Sequence, residues 1–313
     1  MKHLFLVNPA AGKRDATAMY QEAVAAGCKD VDYEIRVSQK PGDITAWTKE
    51  AASTGAELHI YACGGDGTLN EVVNGAAGFQ NVAVTHFPGG SGNDFIKIFS
   101  DAKPFFDLVP LMNNPEETEF DLICCNGIYG LNTCSIGLDA RIAAGVAKYK
   151  RLPLVSGSGA YILSTLQNVF QKLSEDYEIE LDGKICGGKK TMVCVANGRW
   201  YGGGFHPVPD ADPADGKLEV LLVEPVNLLQ IAKVVGKYKA GLYQKLPHLI
   251  THRTCKNLVL RSAQPVAAQL DGELLTRREM RIGIAPWKLR FFYPRGLTWQ
   301  QKERIPAKTG GMA

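Results

Sequence analysis

Two glycine-rich loops carry aspartates where a phosphate could be held: "GGDGTLNEVVNG" at 64–75 and "PGGSGNDF" at 88–95. Before the first, the apolar run "ELHIYAC" reads as a buried strand. After its glycines, Leu69, Val72, Val73, Ala76 and Ala77 fall at i, i+3, i+4, i+7 and i+8, one helical stripe. Thr68 and Glu71 have the spacing of a capping box at the helix start. A strand, a glycine turn and a helix N-terminus together present ordered backbone N–H groups, which suits an anion and phosphate above all. The second loop repeats this chemistry, with a hydroxyl at Ser91 and Asn93-Asp94 entering a helix. Singly, each loop also fits a tight turn, and Asp94 a helix-terminal charge. Two such loops after buried strands point to a ligand.

The elements that must position these loops are legible as an alternation. "HLFLVN" precedes a helical stretch near 15–27, "YEIRV" one near 43–54, "ELHIYAC" the helix from 69, and "NVAVTHF" a short helix after 92. Such alternation predicts a parallel sheet covered by helices, a three-layer domain. Ligands of these sheets bind at the carboxyl ends of the strands, where "NPAAGK", "SQKPGD", "GGDGT" and "PGGSGND" gather. Beyond about 121 the texture changes to short strands with Gly or Asn turns: "FDLICC", "YEIELDG", "KTMVCVANG", "KLEVLLVE", "KNLVLR" and "MRIGIA". Helical interruptions stand near 139–173 and 226–244. The expected architecture is α/β at residues 1–121, followed by a mainly antiparallel β sandwich or barrel at 122–295, with the tail 296–313 packing back on the first domain.

Composition narrows the function classes. The 313 residues suit two domains, and a net charge of +3 is too small to argue for nucleic acid. Eight scattered cysteines lack C-x-x-C spacing and read as free thiols of a reducing cytoplasm. No stretch approaches the ~18 apolar residues of a membrane span, so a lipid substrate must be reached from the water side. Walker A, G-x-G-x-x-G and G-x-S-x-G patterns are absent. His248 and His252 have a helical zinc spacing, but Pro247 and the lack of a third ligand make that spacing fortuitous.

"VNPAAGK", "GGDGTLNEVVNG" and "PGGSGNDF" resemble the catalytic domain of the diacylglycerol kinase family, in its soluble bacterial lipid-kinase branch. That group is similar in fold to NAD kinases and phosphofructokinases. The likeness continues through "SIGLDA", "NGRWYGGGFHPVPDADPADGKLEV" and "QLDGE" and covers nearly the whole chain. Ser91 stands where many members carry threonine, which keeps the hydroxyl.

The resemblance implies that the three-layer parallel-sheet domain is a nucleotide-binding domain, with ATP across its loops. Asn8, Pro9, Ala10, Ala11 and Gly12, with Lys13 adjacent, match one binding segment, and Ser38 a hydroxyl near the adenosine. Gly64, Gly65, Asp66, Gly67, Thr68, Leu69 and Asn70 match a phosphate cradle, and Ser91 the fourth loop's hydroxyl. Asp66, Asp94 and Asp121 match an acidic cluster that organises Mg²⁺ through waters, as Mg²⁺ prefers. Asp271 matches the general base, with Glu273 expected beside it on the same strand face, although Asp-Gly is also a common hairpin turn. Asp212 and Asp215, with the carbonyl of Lys217, match a second, structural Mg²⁺ site. Lys148, Lys150 and Arg151, followed by "LPLV" and "AYILSTLQNVF", could face an anionic membrane or form a core helix with a solvated edge.

The implied function is Mg²⁺- and ATP-dependent phosphorylation of a lipid hydroxyl, diacylglycerol to phosphatidic acid. Phosphatidylglycerol, a sphingoid base or NAD remain alternative acceptors, and a catalytically idle nucleotide or lipid sensor is the alternative of another class. NAD is disfavoured by the second-domain segments, and the idle sensor by the four retained aspartates. The expected setting is cytoplasmic, with peripheral association at the inner membrane surface and a homodimer left open.

Overall fold

The computed structural model describes residues 1–12, 15–28, 31–149 and 173–299. Lys13, Lys150, Arg151, the apolar segment to 170 and the tail from 300 lie outside the described residues, as does the side chain of Lys148.

The first unit is built as its alternation predicts: β1 (Lys2–Val7), α1 (Thr17–Gly27), β2 (Tyr33–Val37), α2 (Asp43–Ala52), β3 (Leu58–Gly64), α3 (Asp66–Gly75) and β4 (Val82–Pro88). After β4 come a 3₁₀ turn at Phe95–Ile98, α4 (Leu108–Met112) and β5 (Glu116–Phe120). Strands β1 to β4 pair in parallel. Every residue of β3 and β4 is buried, as befits strands covered on both faces.

The second unit is antiparallel: β6 (Ile123–Cys125), β7 (Ile128–Gly130), β8 (Thr133–Gly137), α5 (Leu138–Tyr149), β9 (Glu175–Leu181), β10 (Lys184–Ile185), β11 (Gly188–Lys190), β12 (Met192–Ala196) and β13 (Leu218–Val223). Then follow α6 (Leu228–Lys239), β14 (Ile250–Cys255), β15 (Asn257–Leu270), β16 (Glu273–Ile284) and β17 (Leu289–Tyr293). The main path of its sheet runs β14-β13-β12-β8-β15-β16-β6-β7, with β9 also against β15. The parallel and antiparallel units together give the α/β fold expected.

Strand β17, grouped with the second unit in the sequence reading, pairs in the first sheet, whose order is β2-β1-β3-β4-β17-β5. It is parallel to β4 and antiparallel to β5, and Phe291 packs among Phe95, Phe99 and Phe120. Beyond it Trp299 meets Phe120, and the Ser100 N–H donates to the Thr298 carbonyl. Burial of these aromatic rings in the first core, which no local pattern reveals, is what draws the strand back.

The expected capping box is not formed. Gly65 is the N-cap of α3, without a side-chain cap bond, and Thr68 lies inside the helix. Glu71 instead accepts from the Gly42 and Thr45 N–H groups at the start of α2. Its carboxylate satisfies a neighbouring helix's orphan donors rather than its own.

Candidate active site

The two glycine loops lie against one another, backbone on backbone. A Cβ at Gly90 would fall 2.5 Å from the Gly65 Cα, and one at Gly92 2.5 Å from the Asp66 Oδ2. Side chains are therefore excluded where the loops meet, and the Gly89 N–H donates to the Gly64 carbonyl at 2.7 Å. Buried His86 donates to the same carbonyl through Nε2, and burial lowers its pKa to about 4. The N–H groups of Thr68 and Leu69 bond the Gly65 carbonyl. Those of Asp66 and Gly67, first in α3, lie outside the helical ladder, and Gly67 has open space around it. Asn8 braces the cradle: its amide donates to the Thr68 hydroxyl at 3.1 Å and its Oδ1 accepts from the Ala10 N–H. Pro9, Ala11 and Gly12 continue that loop. Ser38, tied to the Val7 carbonyl through its N–H, directly follows β2, and Ser91 is exposed on the second loop.

Two positions of the expected cradle serve packing. Leu69 is buried in the core. Asn70 donates to the Tyr129 carbonyl at 3.1 Å, and Asn74 exchanges two bonds with the Tyr129 backbone, at 2.9 and 3.0 Å. These amides pin α3 of the first unit to β7 of the second.

The aspartates divide in two. Asp66 Oδ1 accepts from the Asp94 N–H at 2.5 Å. Burial raises the Asp66 pKa and the charge of Asp94 raises it further, against the Asp94 and Asn93 N–H groups. Asp94 does not cap the turn it precedes. Its oxygens accept from the Lys97 ammonium at 2.5 Å and from the Gly203 N–H at 2.8 Å, in the second unit. Lys97 in turn sits 5.5 Å from the Trp200 ring centroid. Asp121 is committed to other partners: Lys288 at 2.9 Å and the Gly216 N–H at 2.7 Å, with the Asn197 amide on its carbonyl.

Asp271 occupies the two-residue turn between β15 and β16, with φ of +48° there and +93° at Gly272. Both positive values suit the type I′ hairpin of an Asp-Gly pair. The hairpin and the site are the same feature. Register with β8 sets Leu270 opposite Cys134, so Asp271 arrives beside Thr133. Its carboxylate accepts from the backbone N–H groups of Leu131 at 2.5 Å, Asn132 at 3.1 Å and Thr133 at 2.9 Å. Burial nonetheless pushes its pKa up to about 6, those donors opposing and the Asp66 charge adding. Glu273 is not beside it on one strand face: it is exposed, across the turn and paired with Leu270.

A third feature had no signal beyond the "SIGLDA" segment. Behind the Asp271 turn, the Gly272 N–H donates to Gln269 Oε1, Gln269 Nε2 to the Ser135 hydroxyl, and that hydroxyl to Asp139 at 2.6 Å. Asp139, its pKa raised by burial, lies on the wall of a largely apolar cavity of about 100 Å³ between the sheet, α5 and α6. Met192, Phe205 and Ile231 are among its lining.

Asp212 and Asp215 each accept from a local N–H, of Ala214 and Lys217. Partial desolvation raises the Asp215 pKa, and the charges of Asp212 and Glu219 add to it. Among the described residues, no three His, Cys, Asp or Glu side chains converge as a metal cage.

A family model described as the diacylglycerol kinase catalytic domain matches residues 2–125. A second, the YegS C-terminal NAD kinase beta sandwich-like domain, matches 132–293, more than half the chain. The chain belongs to the diacylglycerol kinase and lipid kinase family. Two curated relatives carry the name "Putative lipid kinase". One, from Staphylococcus epidermidis, is 26% identical over 270 residues, covering 85% of this chain and 86% of its own. The other, from Staphylococcus haemolyticus, is 28% identical over 264 residues, with 83% and 84% covered. A solved chain from Bacillus anthracis described as a diacylglycerol kinase shares the fold, with a TM-score of 0.67 at 21% identity, covering 93% of this chain and 96% of its own.

Proposed function

We propose that this family member is an ATP- and Mg²⁺-dependent lipid kinase that converts diacylglycerol to phosphatidic acid. The acceptor hydroxyl oxygen forms the new bond to the γ-phosphorus, the bond from that phosphorus to the ADP oxygen breaks, and the hydroxyl proton passes to Asp271. The observation that carries the reading is the Asp271 carboxylate, buried where the two units meet, within reach of the Asp66 charge and with a pKa of about 6. A base near that value is ionised at neutral pH yet basic enough to take a proton as the alcohol attacks.

The glycine loops suit a triphosphate because they bring free helix N–H groups and bare backbone to one edge. The acidic pair suits Mg²⁺: Asp66 is held up partly by the Asp94 charge, a repulsion that a divalent cation relieves. With one or two carboxylates as ligands, directly or through water, no all-protein cage is required. When bound, Mg²⁺ supplies neutralisation of charge on the β- and γ-phosphates. Asp66 and Asp94 would hold it. Asp121, through Lys288 and Gly216, fixes the junction of β5, the 212–217 loop and the chain before β17.

The apolar cavity supports a lipid acceptor, since its lining suits an acyl chain better than a second nucleotide. In the same reading, Asp212, Asp215 and the Lys217 carbonyl take a second Mg²⁺ that stabilises the fold. Mg²⁺ then raises the thermal midpoint of the nucleotide-free protein, and Asp215→Asn removes that rise; equal rises in both proteins refute the site.

The test of function is transfer of labelled γ-phosphate from ATP to micellar diacylglycerol, phosphatidylglycerol, ceramide and sphingosine, with NAD as soluble control. Mg²⁺-dependent label in diacylglycerol is the expected result. Label in another acceptor alone corrects the substrate, and none in any refutes the activity.

A further inference from the structure

Helix α6 is apolar on two faces. Ile231, Val234 and Tyr238 close over the cavity beneath it. Leu229 is 74% exposed on the other side and Leu228 40%, while Val235, at the rim of the cavity, is 41% exposed. At ~100° per residue, Leu229, Ala232 and Gly236 form the outward stripe. Lys233 and Lys237 run along one flank of it, and Leu228 along the other, where Val235 turns in to the cavity rim. A helix packed on a core by one face alone would place polar groups there. Fraying does not account for the exposed leucines, because a complete capping box of Asn227 and Gln230 orders the first turn.

Along this stretch of the chain the charge has one sign. From residue 225 to residue 270 the chain contains no Asp or Glu, yet it carries Lys233, Lys237, Lys239, Lys245, Lys256, Arg253 and Arg261. Lys239 lies over the Phe205 ring, and Arg261 pairs with Glu178 and Glu279. Lys233, Lys237 and Lys245 are exposed, as is Leu242.

We infer that the outer face of α6 is the surface by which the protein lies on an anionic phospholipid bilayer. Leu228 and Leu229 enter the headgroup boundary, and Lys233, Lys237 and Lys245 meet lipid phosphates. Apolar exposure with lysines at its margin and no carboxylate on the helix itself is the pattern of an interfacial helix; the carboxylates that approach its C-terminal side, Asp210 and Glu219, face Tyr243. Because the inner face of α6 walls the apolar cavity, docking there sets the cavity against the acyl region. The inference deepens the lipid-kinase reading and rests on it for the choice of a bilayer over an acidic protein.

Sedimentation of the full chain with vesicles tests it. Equimolar phosphatidylglycerol and phosphatidylcholine vesicles pellet the protein, phosphatidylcholine alone does not, and high salt weakens the binding. Lys233→Glu/Lys237→Glu lowers the partition coefficient about tenfold or more. Leu228→Ser/Leu229→Ser lowers it as well, with far-ultraviolet circular dichroism unchanged in both variants. Vesicle binding requires neither ATP nor turnover. A protein that pellets but transfers no phosphoryl group therefore counts against the kinase reading alone. One that phosphorylates micellar lipid without pelleting overturns the docking surface alone. Wild-type binding by both variants overturns it too, as does a variant-induced change of oligomeric state without vesicles, which would make the face a contact between copies.

Discussion

Replacing Asp271 by asparagine separates the catalytic from the structural consequences of its burial. The pKa of about 6, against an ordinary 3.8, means that the fold disfavours the ionised carboxyl. At pH 8 the corresponding penalty is about 3 kcal/mol. The folded value lies above the unfolded one. The penalty is therefore absent below the unfolded value, and stability is lost as pH rises from about 4 through about 6. The substituted amide carries no charge and escapes the penalty. Its NH₂ group, however, faces backbone donors, so the N–H of Leu131 or Thr133 loses its acceptor, at a cost of about 1–3 kcal/mol. At pH 8 the variant is therefore between equal in stability and about 2 kcal/mol more stable than the parent. At pH 4, with the parent largely protonated, it is the less stable of the two. Across that range the difference moves in the variant's favour by about 2 kcal/mol. Phosphoryl transfer at pH 8 falls by roughly 10²–10⁴, the contribution of a positioned base. Urea denaturation at both pH values, beside a micellar kinase assay, measures all three quantities. Full activity refutes the base, and a stability difference independent of pH refutes the buried charge.

In the parent, kcat/KM falls as pH drops below about 6, where Asp271 takes up its proton; a rate flat from pH 4.5 to 8 contradicts the assignment. Gly90→Ala places a Cβ 2.5 Å from the Gly65 Cα, a backbone clash with no flexible neighbour to yield. The glycine loops separate, and equilibrium dialysis finds ATP binding lost at a stability cost of about 1–3 kcal/mol; intact binding means that the loops do not form the cradle. Asn74→Ala leaves the Tyr129 N–H without its acceptor between α3 and β7, while the Tyr129 carbonyl keeps only the Asn70 amide. Denaturant midpoints should register a loss of about 1–3 kcal/mol, and an unchanged midpoint would show that these bonds do not tie the two units.

Much of the first unit was legible in the sequence, since a parallel strand buried on both faces and a following amphipathic helix each leave a local pattern. "ELHIYAC" and the Leu69-Val72-Val73 stripe are both realised, and the "QLDGE" hairpin turns at Asp271-Gly272 as its dipeptide requires. Long-range contacts left no such trace. The return of β17 depends on Phe291 finding Phe95, Phe99 and Phe120 in three dimensions. Glu71 has the spacing of a cap yet serves α2, because a side chain in the second turn of one helix can reach the start of another. Among the site residues, the family resemblance named Asp66, Asp94, Asp121 and Asp271 together and could not rank Asp121 apart from them, since Lys288 joins it only by tertiary packing. Asp139, its cavity and the relay from Gln269 are tertiary for the same reason. Residue types and spacing thus determined the loops and the strands of this protein, and the resemblance its candidate acids. Which acids share one field, and which instead bind the two units together, was decided by the register of β15 on β8 and by the closure of the second unit over the first.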